Sequence, residues 1–271
     1  MDSIPTRVAD RIRSSLKEFQ PILQTARTRD INESDTVVIV TDMLHDVFGY
    51  DKYSEITSEH MIRGTFCDLA VKLDSKLAFL LEVKAVGTEL KDQHVKQAVD
   101  YAANQGCEWA GLTNGVVWRI YKIQFAKPIA ADLVIEFDLL ALNLRASDCI
   151  DMVSLIAKEC WQKARMSAYF EQRQAMSRFT LGALLLTDTV IDVVRRELRR
   201  VADVKVGAEQ IRAVIQNEVV KREVLEGDKA IAAARQVSRA VKKMLRKQRE
   251  DSNSDQDTDD AVEVAPADSA A

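Results

Sequence analysis

A chain of 271 residues that is 47% hydrophobic and 30% charged has material for one large globular domain or two modest ones. Its longest apolar runs fall far short of the roughly 18 residues that span a bilayer, and the charged opening MDSIPTRVADRIRSSLKEF lacks the apolar stretch of a signal peptide. No membrane partner and a cytoplasmic location are therefore expected. The net charge of −4 is uneven: residues 250–271 carry eight acids and no Lys or Arg, leaving 34 acids against 38 bases in the rest. Four cysteines without a C-x-x-C pair, and only three histidines, argue against structural zinc and for reduced core thiols.

Residues 5–28 repeat Ile12, Leu16 and Phe19 at helical spacing among charges and predict a helix. Asp30-Ile-Asn-Glu33 has the form of a capping box for a second helix running to Gly49, although the β-branched run Val37–Val40 also favours a strand. From 61 to 86 the apolar period falls to two. Strands are predicted over 64–73 and 77–85, joined at Asp74-Ser75-Lys76. Residues 90–105 read as a helix stopped by Gly106. EWAGLTN and VVWRIYKI read as a hairpin on Asn114-Gly115, and DLVIEFDL as a fifth strand. Trp109, Trp118 and Trp161 are expected in packing rather than as base-stacking platforms.

Beyond about residue 145 the pattern is helical, with breaks near Gly207 and Gly227 and no Pro from 129 to 265. The expected class is α+β, a mixed central sheet flanked by helices over 1–145. An all-helical region follows over 146–249, for dimerisation, partner or DNA contact, then a disordered acidic tail over 250–271. The tail reads as solubilising, or as an acidic mimic competing with nucleic acid for the basic surface.

The stretch FLLEVKA, residues 79–85, sets Glu82 and Lys84 in an otherwise apolar strand. In extended backbone both point to the face of Leu80, and Leu81 and Val83 to the other. A short turn near residue 75 would pair residue i with roughly 150 − i, bringing Asp68 opposite Glu82; a slip of one residue would undo this. Two carboxylates held together in apolar surroundings either raise one pKa or bind a cation. A hard cation such as Mg²⁺ suits two carboxylates and retained waters, and a lysine alongside stabilises developing negative charge. The chemistry indicated is metal-assisted phosphodiester hydrolysis.

The order Asp68-(x13)-Glu82-x-Lys84 resembles the PD-(D/E)xK nuclease superfamily. Gln97 and Tyr101, on one helix face, resemble the Q-x-x-x-Y element of its RecB-like branch, with His94 near that face. GLTNGVVWRIYKI and INESDTVVIVTDMLHDVFGYDKY resemble stretches of the N-terminal nuclease domain of type I restriction enzyme R subunits, over roughly residues 25–140. The chain departs from that family in having Cys67 where the motif has Pro, and in lacking any G-x-x-x-x-G-K-[ST] motor motif. The resemblance implies a restriction-endonuclease-like fold and a Mg²⁺-dependent DNA endonuclease of restriction or DNA processing, Mn²⁺ serving as substitute. A module on the same fold that binds nucleic acid or a partner without cutting is the alternative. Asp68, Glu82 and the Val83 carbonyl would hold the metal. Lys84 would be catalytic, and Glu33 an accessory acid or simply a helix cap. Gln97, Tyr101 and His94 would contact substrate. DNA is the implied partner; a second copy, or a methylase, specificity or motor subunit, are further candidates.

Overall fold

The computed structural model describes residues 4–62 and 65–259, in two compact units divided after Phe170. The first unit opens with helix α1 (Thr6–Thr28), whose Val8, Ile12, Leu16, Phe19 and Leu23 are buried at helical spacing. Helix α2 (Glu33–Asp46) follows. The Val37–Val40 run is helical here, since Val40, Met43 and Leu44 form a buried face against the core and packing overrides the weak strand preference.

Six strands then form one sheet: β1 (Ile56–Ile62), β2 (Thr65–Leu73), β3 (Lys76–Val83), β4 (Trp109–Thr113), β5 (Val117–Gln124) and β6 (Ala130–Asp138). Their order in space is their order in the chain. Neighbours pair antiparallel except β3 and β4, which run parallel, linked across one face by helix α3 (Asp92–Asn104). The architecture is α+β with a mixed open sheet. Strand β1 has no counterpart among the sequence expectations. It is bonded on one side only, to β2, and such an edge needs no strict apolar alternation to reveal it.

The β2–β3 turn places Asp74 and Ser75 at φ 49° and 63°, the left-handed pair that a two-residue hairpin requires. Its register follows the expected rule: Leu69 faces Leu81, Ala70 faces Leu80 and Val71 faces Phe79, before a bulge at Val71/Lys72. The two sheet faces bury different clusters. Leu69, Val71, Phe79, Leu81 and Val83 join the core of α1 and α2, whereas Ala70 and Leu80 pack with Ala98, Val99 and Ala102 of α3.

The first unit extends past the expected boundary at 145. Helix α4 (Ser147–Ser154) and the start of α6 (Arg165–Ala175) send Ile150, Val153 and Met166 into the main core, and the turn between α4 and α5 (Lys158–Gln162) adds Ile156. Arg11 of α1 forms a bidentate pair with Glu159 at 2.6 and 2.8 Å, and the Tyr50 hydroxyl donates to the Ile156 carbonyl at 2.7 Å. All three tryptophans belong to this packing: Trp109 and Trp161 meet edge to face at 5.6 Å, and Trp118 is fully buried against Phe48.

The second unit is helical: α7 (Arg178–Leu185), α8 (Asp188–Ala202), α9 (Ala208–Val214) with a π-turn over Ile215–Val219, α10 (Arg222–Leu225) and α11 (Asp228–Asp259). Gly182 of α7 permits close approach of α10, because a Cβ there would lie 2.7 Å from Val224 Cγ1. Helix α11 runs to Asp259, no Gly or Pro intervening, so it takes in the first residues of the tail expected from residue 250; residues 260–271 of that tail lie outside the described residues.

Candidate active site

Three elements bring charged groups together at the carboxyl end of β3. Glu82 and Lys84 follow Leu80 along one face of the strand. The β2–β3 register sets Asp68 across from Glu82, and Asp68 Oδ2 accepts the Val83 backbone N–H at 2.7 Å. Asp68 is thereby anchored on the peptide between the other two. Lys84 Nζ donates to Glu82 Oε1 at 2.7 Å and lies 3.4 Å from both carboxylate oxygens of Glu33.

Glu33 reaches Lys84 because it does not cap its helix. Asn32 is the N-cap, its side chain accepting the Asp35 N–H at 2.9 Å, and Asp30 sits one turn earlier at φ 48°. The expected capping box is corrected accordingly. The shorter Asn32 side chain satisfies the orphan N–H, and Glu33, first residue of the helix, turns toward the ammonium. Thr36, one turn on, fixes the distance between helix and strand: its buried hydroxyl accepts the Val86 N–H at 3.2 Å and donates to the Asn32 carbonyl at 2.8 Å.

Glu82 is 2% exposed, and its Oε2 has no hydrogen-bond partner. Burial pushes its pKa up, the Lys84 hydrogen bond opposes this, and the charges of Asp68 and Glu33 add to the rise, to about 7. Burial alone would lower the pKa of Lys84, but the bond to Glu82 and the charges of Glu82, Glu33 and Asp68 outweigh it and hold the ammonium above its ordinary value. Glu82 and Glu33 thus both contact the Lys84 ammonium, and the charge of Asp68 acts on it as well. An orphaned buried oxygen of Glu82 with a second carboxylate beside it fits a hard divalent cation. No group of three or more His, Cys, Asp or Glu side chains among the described residues is arranged to hold a metal ion, so such a cation would rest on Asp68, Glu82 and waters, with the Val83 carbonyl as the remaining protein donor to test.

Cys67, in place of the motif proline, is a buried thiol within 3.5 Å of the Leu69 and Leu81 carbonyls; burial pushes its pKa to about 12, which makes it a packing residue. The α3 residues form a patch of their own. Gln97 Nε2 donates to the Tyr101 hydroxyl at 3.3 Å, and His94 Nδ1 accepts the Lys91 N–H at 3.2 Å, closing the first turn of α3. Among the described residues, none of the three shares a hydrogen bond with Glu33, Glu82 or Lys84.

Thr113-Asn114-Gly115 spends its side chains on the turn. Asn114 Oδ1 accepts the Val116 and Val117 N–H groups, and its Nδ2 donates to the Thr88 carbonyl at 2.9 Å. The Thr113 carbonyl accepts the Lys84 N–H at 2.8 Å, so this hairpin also holds the segment after β3. A cavity of about 270 Å³ opens beside that segment, bounded by Gly87, Thr88, Arg119 and Arg27. Arg27 was not among the sequence candidates; only the ending of α1 against the hairpin brings it there, and nothing in its local sequence marks it. Comparison with protein-family models, curated proteins and solved structures finds no match for this chain.

Proposed function

We propose that the protein is a metal-dependent nuclease that hydrolyses phosphodiesters in DNA. The observation that carries this reading is the convergence of Asp68, Glu82, Lys84 and Glu33, with a fully buried carboxylate oxygen left without a hydrogen-bond donor. The order helix, three antiparallel strands, crossover helix and parallel strand also supports a restriction-endonuclease-like core. Asp68 and Glu82 fit Mg²⁺, with Mn²⁺ as substitute; when bound, such an ion polarises a phosphoryl oxygen and makes a coordinated water nucleophilic near neutral pH.

The chain's own part is positioning and charge. Asp68, fixed to the Val83 N–H, keeps its carboxylate beside Glu82. Lys84, held protonated by three carboxylates, presents an ammonium to the negative charge that develops on the phosphorus oxygens. Glu33, with both carboxylate oxygens at 3.4 Å, tethers that ammonium from the helix side. A setting in restriction or DNA processing follows from the same reading.

The test is cleavage of supercoiled, linear and single-stranded DNA with Mg²⁺ and with Mn²⁺. Glu82→Gln and Lys84→Ala should each lower the rate by about 100-fold or more, with the fold retained; full activity in Lys84→Ala would sink the mechanism. If calorimetry shows no Mg²⁺ or Mn²⁺ binding, the cluster is a structural ion pair and the fold a binding module.

A further inference from the structure

Helix α11 divides its surface sharply. Ala230, Ala233 and Val237 are buried on one side. Between Lys229 and Arg249 the sequence holds eight Lys or Arg and no acid. Arg235, Arg239, Lys242 and Arg246 recur at steps of four, three and four, one face of a helix, turned away from the buried side. All four are exposed, and Arg235, Arg239 and Lys242 form no ion pair among the described residues. Elsewhere in this unit several bases pair with a nearby acid, Arg195, Arg200 and Arg222 each within one turn. Arg235, Arg239 and Lys242, like charges on one helix face, repel one another, and the fold retains them with apolar packing on the opposite side.

We propose that the basic face of α11 is a docking surface for the phosphate backbone of duplex DNA, separate from the carboxylate cluster. The row rises about 1.5 Å per residue and so extends roughly 16 Å, long enough to meet several phosphates of a duplex, which carries about one charge per 1.7 Å of axis. Single strands are held by stacking of bases on aromatic rings as well as by charge. Residues 228–259 contain no Phe, Tyr or Trp. The surface therefore suits a duplex backbone, read without sequence preference. This inference names the substrate form for the nuclease reading, yet its test needs no cleavage.

The experiment is fluorescence anisotropy of the full chain in EDTA, with a labelled duplex and a single strand of equal length, across a salt series. The duplex should bind more tightly. Arg235→Glu/Arg239→Glu/Lys242→Glu should weaken duplex binding at least tenfold and reduce the slope of log affinity against log salt by about three phosphate contacts. Arg235→Lys/Arg239→Lys should keep both, which separates charge from loss of fold. Duplex binding unchanged in the triple variant, or a preference for the single strand, would overturn the proposal. So would charge-dependent binding to phosphatidylserine vesicles with none to duplex. If Glu82→Gln abolishes cleavage while duplex binding in EDTA persists, both readings stand; loss of one alone identifies which has failed.

Discussion

A carboxyl group with 2% of its surface exposed keeps its proton longer than one in water, and for Glu82 the rise reaches about 7. The folded state thus holds a proton that the unfolded chain, with an ordinary value of 4.5, has released. The sign follows directly. A raised carboxyl pKa means stability is greatest below 4.5 and falls as the pH climbs through the interval to about 7. Lys84, raised above 10.5, changes nothing in that interval. In EDTA the melting temperature should therefore fall between pH 5 and pH 8 more steeply for the wild type than for Glu82→Gln. The difference should reach at most ~3 kcal/mol at pH 8. Parallel curves for the two proteins would show that Glu82 does not titrate there. Adding Mg²⁺ at pH 8 should raise the wild-type melting temperature and leave Glu82→Gln unmoved.

Among the elements, the β4–β5 hairpin is the join on which the site's geometry depends, because Asn114 bonds both to its own turn and to Thr88 beyond β3. Asn114→Ala should cost about 2–3 kcal/mol in urea unfolding and loosen the segment after Lys84. A loss below ~0.5 kcal/mol would mean that Gly115, at φ 83°, holds the turn unaided. This hairpin was legible in the sequence because Asn-Gly is a local signal. So were the β2–β3 register and the shared face of Asp68, Glu82 and Lys84, which follow from period two and a short turn. Strand β1 was not, being an edge whose partner alone defines it. Nor was the turn of Glu33 toward Lys84: the sequence pattern points to Asp30 as the cap, and the left-handed Asp30 backbone passes that role to Asn32.

Across the two units, the helices over 147–170 behave as part of the first, supplying Ile150, Val153, Ile156 and Met166 to a core that otherwise spans α1 to β6. A fragment of residues 1–170 should unfold cooperatively in urea. One ending at 145 should be poorly soluble, because it exposes the surfaces those side chains cover at roughly 1.5–3 kcal/mol each. Equal cooperativity in both would contradict this boundary. The acidic run that begins within α11, after its basic stretch, permits one further measurement. Deleting residues 250–271 removes eight acids, and it should tighten duplex binding if they compete with phosphate for the α11 row. Unchanged binding would leave the tail a solubilising one.

The sheet's order has a consequence for how the protein is made. Each strand pairs with the one synthesised just before it, so the ladder grows outward from one edge and no late strand must insert between two early ones. Short loops close with little entropic cost. Glu33, Asp68, Glu82 and Lys84 all lie before Thr113, whose carbonyl receives the Lys84 N–H. During translation, which delivers the N-terminal part first, the residues of the candidate site emerge together with the strands that seat them, before any of the helical unit has left the ribosome.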